Sequence, residues 1–223
     1  VEEEINIKKD YTFSIKNDAD YKASNITTKN EGIIFDFKTP DSYFTNVFVK
    51  IIGMHNLKNV LSALSIIDQI KEIEISELLP LLSNLKGIER RMEVYTINEK
   101  IIIDDYAHHP TEINAVHQAV RELYPGKKII AAFQPHLFSR TRDFIDGFAE
   151  SLSQFDEVLL MEIYPARELP IEGVDSSWLL SKITNQNKKL VSKESLLYEI
   201  KKSNASIYVT IGAGDIGEMV TEI

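Results

Sequence analysis

The spacing of apolar residues divides the chain into two parts. In the first fifty residues, short runs of β-branched and aromatic side chains alternate with polar turn clusters such as residues 17–20, a pattern typical of β-strands. Leucine and isoleucine at helical spacing follow in two further segments. We therefore predict an antiparallel meander and then two helices. The predicted strands cover residues 11–15, 21–28, 32–37 and 46–52, and the predicted helices cover residues 57–70 and 75–85.

After residue 91, apolar runs of strand length alternate with amphipathic helical stretches. This alternation is typical of an α/β fold with a mainly parallel, doubly wound sheet and helices on both of its faces. The predicted strands cover residues 101–105, 128–134, 157–164, a short run near 190, and 206–211, and the predicted helices cover residues 111–124, 141–155, 176–184 and 193–202. We predict a partial domain of strands and helices in residues 1–87 and a C-terminal Rossmann-like domain in residues 88–223.

The composition excludes several classes of function. The 223 residues contain no cysteine, which rules out a disulfide framework, a thiolate zinc site and a cysteine nucleophile, and fits a cytoplasmic protein. The formal net charge of −9 argues against a nucleic-acid partner. No apolar run approaches the roughly 20 residues that span a bilayer, so no membrane partner is predicted. Because the sequence opens on Val1 without Met, we expect it to be part of a longer protein.

Four chemically rich segments begin where predicted parallel strands end. The carboxyl ends of such strands meet at one edge of the sheet, so we expect a ligand site there. The segments carry histidine and arginine, and arginine binds carboxylates and phosphates through paired hydrogen bonds, which favours an anionic ligand. Two of the arginines lie near a predicted helix start, where cations are otherwise disfavoured. The segments are residues 104–110 (DDYAHHP), 134–142 (QPHLFSRTR), 164–168 (YPARE) and 212–215 (GAGD).

Simpler interpretations compete with ligand binding at some of these residues. His108 and His109 are adjacent, so their side chains point apart, and no third ligand has metal-binding spacing; no metal site is predicted. The Gly212, Gly214 and Gly217 spacing matches the dinucleotide fingerprint, but no βαβ unit follows it, and we interpret it as a tight turn.

Residues 53–59 (GMHNLKN) leave two interpretations open. Asparagine is a good helix N-cap, so the segment could simply start a helix. Amide side chains also both donate and accept hydrogen bonds, as binding to an adenine edge requires.

Several motifs resemble those of the Mur ligases, ATP-dependent enzymes that add amino acids to the peptidoglycan precursor. Residues 53–59 are similar to the family's G-x-H-N-x-x-N segment, and residues 87–93 (GIERRME) resemble the G-x-x-R-R-F-E stretch that opens its C-terminal domain. In residues 87–93, Met92 stands in place of the usual Phe. The remaining matches resemble the member that adds the first amino acid, with Leu137 where Arg is common. These matches are residues 18–26, 104–113 (DDYAHHPTEI), 133–142 (FQPHLFSRTR) and 163–174 (IYPARELPIEGV).

The resemblance implies a reaction for the longer protein. ATP would phosphorylate the carboxylate of UDP-N-acetylmuramate, and the amine of L-alanine would attack the acyl phosphate. The implied cofactors are ATP and Mg²⁺, and the implied partners are these small molecules. No G-x-x-x-x-G-K-[ST] phosphate loop occurs in the sequence, so we expect the phosphate loop, the magnesium ligands and the sugar-binding domain upstream. Residues 1–87 would then be the back half of the central ATP-binding domain, and the chain alone is predicted to be inactive.

The resemblance also implies roles for individual residues. It places one group near ATP: His55, Asn56 and Asn59 by the adenine, Arg90 and Arg91 by the phosphates, and Asp105 on the ribose side. It assigns catalytic roles to His108, Arg140 and Arg142, and substrate binding to Tyr106, His109, His136 and Ser139. Positive charge around developing oxyanions in a closed, dry cleft is what acyl-phosphate chemistry requires.

Two alternatives remain. A peptide-recycling ligase attaches a tripeptide to the same sugar; its first loop more often carries Phe at the position of Tyr106, and its second loop departs from FQPHxxSRTR. A non-catalytic nucleotide-binding domain is the other.

Overall fold

The computed structural model describes residues 11–29, 32–70, 72–97 and 99–222. The chain divides into two compact units, with the division between Lys86 and Gly87. Within the described residues, no helix combines the length and the apolar character needed to cross a bilayer.

The first unit contains a four-stranded sheet in the order β1-β2-β3-β4. Its strands are β1 (Phe13–Ser14), β2 (Tyr21–Lys29), β3 (Gly32–Lys38) and β4 (Tyr43–Val49). The last three strands pair antiparallel, as predicted. The prediction is wrong for β1, which pairs parallel with β2. The turn between β1 and β2 is stabilised by the Ser14 side chain, whose Oγ accepts hydrogen bonds from the Lys16 and Asn17 amides. The two strands therefore do not form a hairpin.

Helix α1 (Met54–Ile67) packs on this sheet through Leu57, Leu61 and Leu64, which lie on one helical face. The prediction of one α-helix over residues 75–85 is correct only for its first turn. This stretch consists of α2 (Ile75–Leu78) and a 3₁₀ segment, Leu79–Asn84. Pro80 has no N–H to donate to the preceding turn, so an α-helical hydrogen bond is missing there.

The second unit contains a six-stranded sheet in the spatial order β5-β6-β10-β7-β8-β9. Every neighbouring pair is parallel except β5 and β6. The edge strand β5 is absent from the predicted strands, although four of its five residues, Val94–Ile97, are of types that favour strands. The strands are β5 (Glu93–Ile97), β6 (Lys100–Asp105), β7 (Ile129–Phe133), β8 (Glu157–Leu160), β9 (Lys188–Leu190) and β10 (Ile207–Ile211).

Helices cover both faces of this sheet, which confirms the predicted α/β class. Ile102, Ile130 and Tyr208 pack on one face under α7 (Lys193–Lys202) and a second 3₁₀ segment (Asp215–Glu222). Phe133 lies on the opposite face, where its ring is 5.5 Å from that of Phe148 in α5. The helices are α3 (Pro110–Leu123), α4 (Phe138–Asp143), α5 (Ile145–Leu152), α6 (Ser176–Lys182) and α7 (Lys193–Lys202), and the 3₁₀ segment is Asp215–Glu222.

Two predicted elements of this unit differ from the structure. The helix predicted over residues 141–155 is two helices, because Phe144 lies between α4 and α5 with φ −118° and ψ 20°. The strand predicted over residues 157–164 ends at Leu160, and beyond it Tyr164 makes only an isolated bridge with His136.

Candidate active site at the strand ends

Three neighbouring strands end side by side, so the loops that follow them share one edge of the sheet. Ile211, the last residue of β10, pairs with Asp105 on one side and with Phe133 on the other. Gln134 then joins two of the loops. Its Nε2 donates to Asp215 at 2.7 Å, and its Oε1 accepts from the Ile216 amide at 3.0 Å. We call the residues on these loops, together with residues 87–92, the rim.

The glycine turn after β10 fits closely against the neighbouring loops. A Cβ at Gly212 would lie 2.7 Å from the Gln134 carbonyl oxygen, and one at Gly214 would lie 2.8 Å from the Tyr164 ring. The residues that follow form a 3₁₀ segment and no further strand. The glycines therefore serve close packing at the rim, in agreement with the tight-turn interpretation.

Two consecutive carboxylates end β6 and bind different partners. Asp104 accepts from Arg90 Nε at 2.8 Å and from Thr210 Oγ1 at 2.7 Å. Asp105 accepts from the Met92 amide at 2.9 Å and from the Ala107 amide at 2.8 Å. Burial raises the pKa of Asp105 to about 6, although the two amide hydrogen bonds and nearby Arg91 oppose this rise.

The adjacent arginines of residues 87–93 also have different surroundings. Arg90 has all three guanidinium nitrogens bonded within the protein: to Asp104 and to the carbonyls of Gly212 and Gly214. Arg91 instead has its Nη1 4.0 Å from Asp105 Oδ1, and 36% of its side chain is exposed. Both guanidiniums lie over the Tyr106 ring, at 5.1 Å for Arg90 and 5.7 Å for Arg91.

His108 is held by the loop on which it lies. Its amide donates to Glu112 Oε2 at 2.8 Å, and its Nδ1 lies 2.9 Å from the Tyr106 carbonyl oxygen. Because a carbonyl only accepts, Nδ1 is the donor in this contact, and in a neutral imidazole this leaves the lone pair on Nε2. The ring centre is 6.4 Å from that of His136, which belongs to the next loop.

His109 is oriented differently from its neighbour, as expected for adjacent loop residues. It is the N-cap of α3, where its Nδ1 accepts from the Thr111 amide at 3.3 Å, and its ring contacts that of Phe144 at 4.6 Å. In the structure, His109 therefore caps α3 beside the rim, and its ring packs on Phe144 instead of on His108.

The loop after β7 brings His136 and Arg140 together. The His136 ring stacks on Tyr164 at 5.7 Å, and Arg140 Nη1 lies 3.3 Å from His136 Nδ1. Burial lowers the pKa of His136, with further lowering from Arg140 and His108. A neutral His136 with an unprotonated Nδ1 fits the donor that Arg140 presents.

Ser139 and Arg142 lie on either side of Arg140 on α4. Glu168 accepts from the Ser139 amide at 2.9 Å and from its hydroxyl, and these two bonds hold the pKa of Glu168 below its usual range. Arg142 donates to the adjacent Asp143 at 2.8 Å and is half exposed. The structure thus groups Tyr106, His108, His136 and Arg140, and does not bring Arg142 into contact with them.

The residues expected near the adenine lie in the first unit, on the first turns of α1. Gly53 with φ 90° is the N-cap of this helix, so the interpretation of an asparagine as its N-cap is wrong. The Asn56 amide group donates to the Ile52 carbonyl at 2.9 Å. His55 lies on the first turn as well, and Asn59 is exposed three residues after Asn56, on the same side of the helix.

Four polar residues that hold the rim have no individual role assigned to them from the sequence: Asp104, Glu112, Gln134 and Glu168. Glu112 has a recognisable signal, because it occupies the third helical position after the His109 cap, where an acidic side chain commonly binds a preceding amide. The partners of the other three are remote in sequence, and no local pattern reveals them. Among the described ranges, no group of three His, Asp or Glu side chains is placed to hold a metal ion.

Comparison with known proteins gives matches along both units. A family model described as "Mur ligase, glutamate ligase domain" matches residues 90–214, and one described as "Mur ligase middle domain" matches residues 2–67. A UDP-N-acetylmuramate–L-alanine ligase of Flavobacterium johnsoniae is 56% identical over 94% of this chain and 47% of its own length. One from Flavobacterium psychrophilum is 53% identical over 96% of this chain and 48% of its own length.

Solved structures share the fold. The crystal structure of a UDP-N-acetylmuramate–alanine ligase from Thermotoga maritima superimposes with a TM-score of 0.78 at 24% identity, and covers 96% of this chain and 46% of its own. The chain therefore spans about half the length of the relatives that it matches.

Proposed function

Because the chain belongs to the Mur ligase family, we propose that it is part of an ATP-dependent, ADP-forming ligase that joins L-alanine to UDP-N-acetylmuramate. The observation that carries this proposal is the 56% identity, over 94% of the chain, to a ligase of that name. Since the chain spans about half of such relatives, the reaction is proposed for the full-length protein that contains it.

The proposed reaction has two steps. ATP, when bound, supplies the phosphoryl group that converts the sugar's carboxylate into an acyl phosphate. The amine of L-alanine then attacks the acyl carbon, a C–N bond forms, the C–O bond to phosphate breaks, and the amine loses a proton. Both steps place negative charge on oxygen atoms, so they require fixed positive charge in a site from which water is excluded.

The rim offers groups suited to each need. The exposed guanidinium of Arg91, aligned by Asp105 and the Tyr106 ring, supplies a donor for phosphate oxygens. Arg140, whose Nη1 contacts His136 Nδ1, supplies a second cation for the alanine carboxylate or the acyl phosphate. His108 Nδ1 donates its hydrogen bond to the Tyr106 carbonyl, so Nε2 is suited to accept the proton that the alanine ammonium group must lose.

For ATP, the donors of Arg91 and the amides of Asn56 and Asn59 are chemically suitable. We propose that the protein ligands of Mg²⁺, which usually are one or two carboxylates beside water and phosphate oxygens, lie mainly in the other half of the ligase.

The first test measures ADP and phosphate release by the full-length protein with UDP-N-acetylmuramate, with and without L-alanine. We expect the release of ADP and phosphate to depend on L-alanine. When L-alanine and a tripeptide are offered together, we expect the product to contain L-alanine. Preference for the tripeptide would instead support a peptide-recycling ligase.

Replacement of arginines at the rim distinguishes the ligase hypothesis from the alternative of a non-catalytic nucleotide-binding domain. We expect Arg91→Ala and Arg140→Ala in the full-length protein each to lower kcat/KM at least tenfold, or about 1.4 kcal/mol. Lys182→Ala, which removes an exposed cation on α6 that pairs only with Asp146 at 3.0 Å among its described contacts, serves as the control. Unchanged ligation by both arginine variants would contradict the assignment of the rim as the active site.

The 223-residue chain by itself is expected to release no phosphate, because its sequence contains no phosphate loop of the G-x-x-x-x-G-K-[ST] type. A phosphate-release assay on the purified chain checks this. Turnover that requires L-alanine would show that the chain suffices for catalysis.

A further inference from the structure

Arg90 joins three parts of the rim that are far apart in sequence. Its Nε donates to Asp104 at the end of β6 at 2.8 Å. Its Nη2 and Nη1 donate to the carbonyls of Gly212 and Gly214 in the turn after β10, at 2.6 and 3.2 Å. Its backbone carbonyl accepts from the Tyr106 amide at 2.7 Å. Every nitrogen of the guanidinium is thus committed to an acceptor inside the protein.

The packing around the guanidinium leaves no room for a side chain on the facing segment. A Cβ added at Gly217 would lie 2.3 Å from Arg90 Cζ and 2.3 Å from its Nε. Real Cβ atoms do not approach other atoms this closely, so Gly217 and the guanidinium fit together only because the glycine has no side chain.

The backbone determines that Arg90 and Arg91 face different partners. Arg90 and Met92 both have left-handed conformations, with φ 57° and 53°, which are unfavourable for residues with a side chain. Met92 is buried, and its amide is bonded to Asp105. These contacts hold a strained turn in which Arg90 binds the protein and Arg91 stays partly exposed.

We propose that Arg90 is a positioning residue that clamps the glycine turn, Asp104 and the Tyr106 loop together, and that Arg91 is the arginine of the pair that meets the phosphates. This inference deepens the proposed function and rests on it for the role of Arg91. It departs from the sequence-based expectation that Arg90 also binds ATP. Lysine cannot replace Arg90 in the clamp, because one ammonium group cannot match the planar fork that reaches three acceptors.

The kinetic test compares Arg90→Lys with Arg91→Ala in the full-length ligase. A clamp predicts that Arg90→Lys lowers kcat at least tenfold while the KM for ATP changes less than twofold. Arg91→Ala should raise the KM for ATP at least fivefold. If Arg90→Lys retains wild-type kcat, or if it raises the KM for ATP as much as Arg91→Ala does, the proposal is wrong.

A second test needs no ligase activity and uses the 223-residue chain. Gly217→Ala keeps the charge of Arg90 but forces its guanidinium out of the clamp. Trp178 is the only tryptophan and lies in the second unit, so its fluorescence reports the unfolding of that unit. We expect Gly217→Ala to lower the urea midpoint in wild type and to have little effect in an Arg90→Ala background.

The outcomes of this cycle are distinct. A smaller effect of Gly217→Ala in the Arg90→Ala background supports the clamp, whereas equal effects in both backgrounds overturn it. If the full-length protein shows no ligation at all, the proposed function fails, but this cycle still decides whether the clamp exists. A chain in which Gly217→Ala alone is harmless would also contradict the proposal.

Discussion

At the scale of residues, Asp104 and Asp105 show how neighbours of one chemical type are used differently. Asp104 forms an ion pair with the Arg90 guanidinium, whereas Asp105 accepts from two backbone amides and lies 4.0 Å from Arg91. The motif DDYAHHPTEI identifies both acids as candidates but cannot tell which partner each one has. The same holds for Arg90 and Arg91, whose different orientations depend on left-handed backbone conformations that no local pattern signals.

The raised pKa of Asp105 predicts a pH-dependent stability. A carboxyl whose pKa is about 6 in the folded chain binds a proton more tightly there than in the unfolded chain, where its pKa is near 4. The contribution of Asp105 to the free energy of unfolding therefore falls as the pH rises from 4.5 to 7, by about 2 kcal/mol.

Urea unfolding followed by Trp178 fluorescence tests this in wild type and in Asp105→Asn at several pH values. As the pH rises, the free energy of unfolding of the wild type should fall relative to that of Asp105→Asn. Parallel pH profiles would mean that Asp105 has the same pKa in both states.

At the scale of elements, the sequence predicts well where the cause is local. The predicted bounds of α3, α6 and α7 agree with the structure within two residues, because their apolar spacing and start signals lie within the helices. The prediction fails at α4 and α5, where Phe144, whose ring contacts His109, separates two helices, and where Leu137 precedes α4 with a positive φ. Both causes depend on the folded arrangement of loops.

Leu137, with φ 75° and ψ 134°, provides a test of that strain. Glycine adopts such a conformation freely, but any residue with a Cβ is destabilised there by about 1 kcal/mol or more. We expect Leu137→Gly to be more stable than Leu137→Ala by about 1 kcal/mol, the reverse of the usual order. Both variants lose the leucine side chain, so alanine is the matched control; a less stable glycine variant would refute the strain.

At the scale of the whole molecule, the most consequential feature is the position of β10. Its strand is predictable from its apolar residues, but its insertion between β6 and β7 is a long-range pairing that periodicity does not encode. Fully buried, β10 supplies the glycine turn to the centre of the rim. The chain is acidic overall, with a net charge of −9, yet this edge of the sheet gathers Arg90, Arg91 and Arg140.

The central place of β10 predicts the effect of truncation. A chain that ends at residue 205 lacks the strand that bonds β6 to β7, so we expect its second unit not to fold cooperatively. Trp178 fluorescence should then show no sigmoidal transition in urea, whereas the chain of 223 residues should show one. Addition of a peptide of residues 206–223 is expected to restore the transition; a cooperative transition without it would contradict the argument.

The strand in the middle of this sheet, β10, is also the last of the sheet's described strands that a ribosome makes. While residues 87–205 emerge, β6 and β7 cannot pair with each other as they do with β10, and each presents an open row of backbone donors and acceptors. Folding of the unit from its first strand onward is therefore blocked until β10 has been made, and until then the nascent chain presents two unpaired strand edges. A chain released before β10 is made would be a substrate for chaperones and proteases, so the order of strands makes synthesis through residue 211 a precondition for a stable rim.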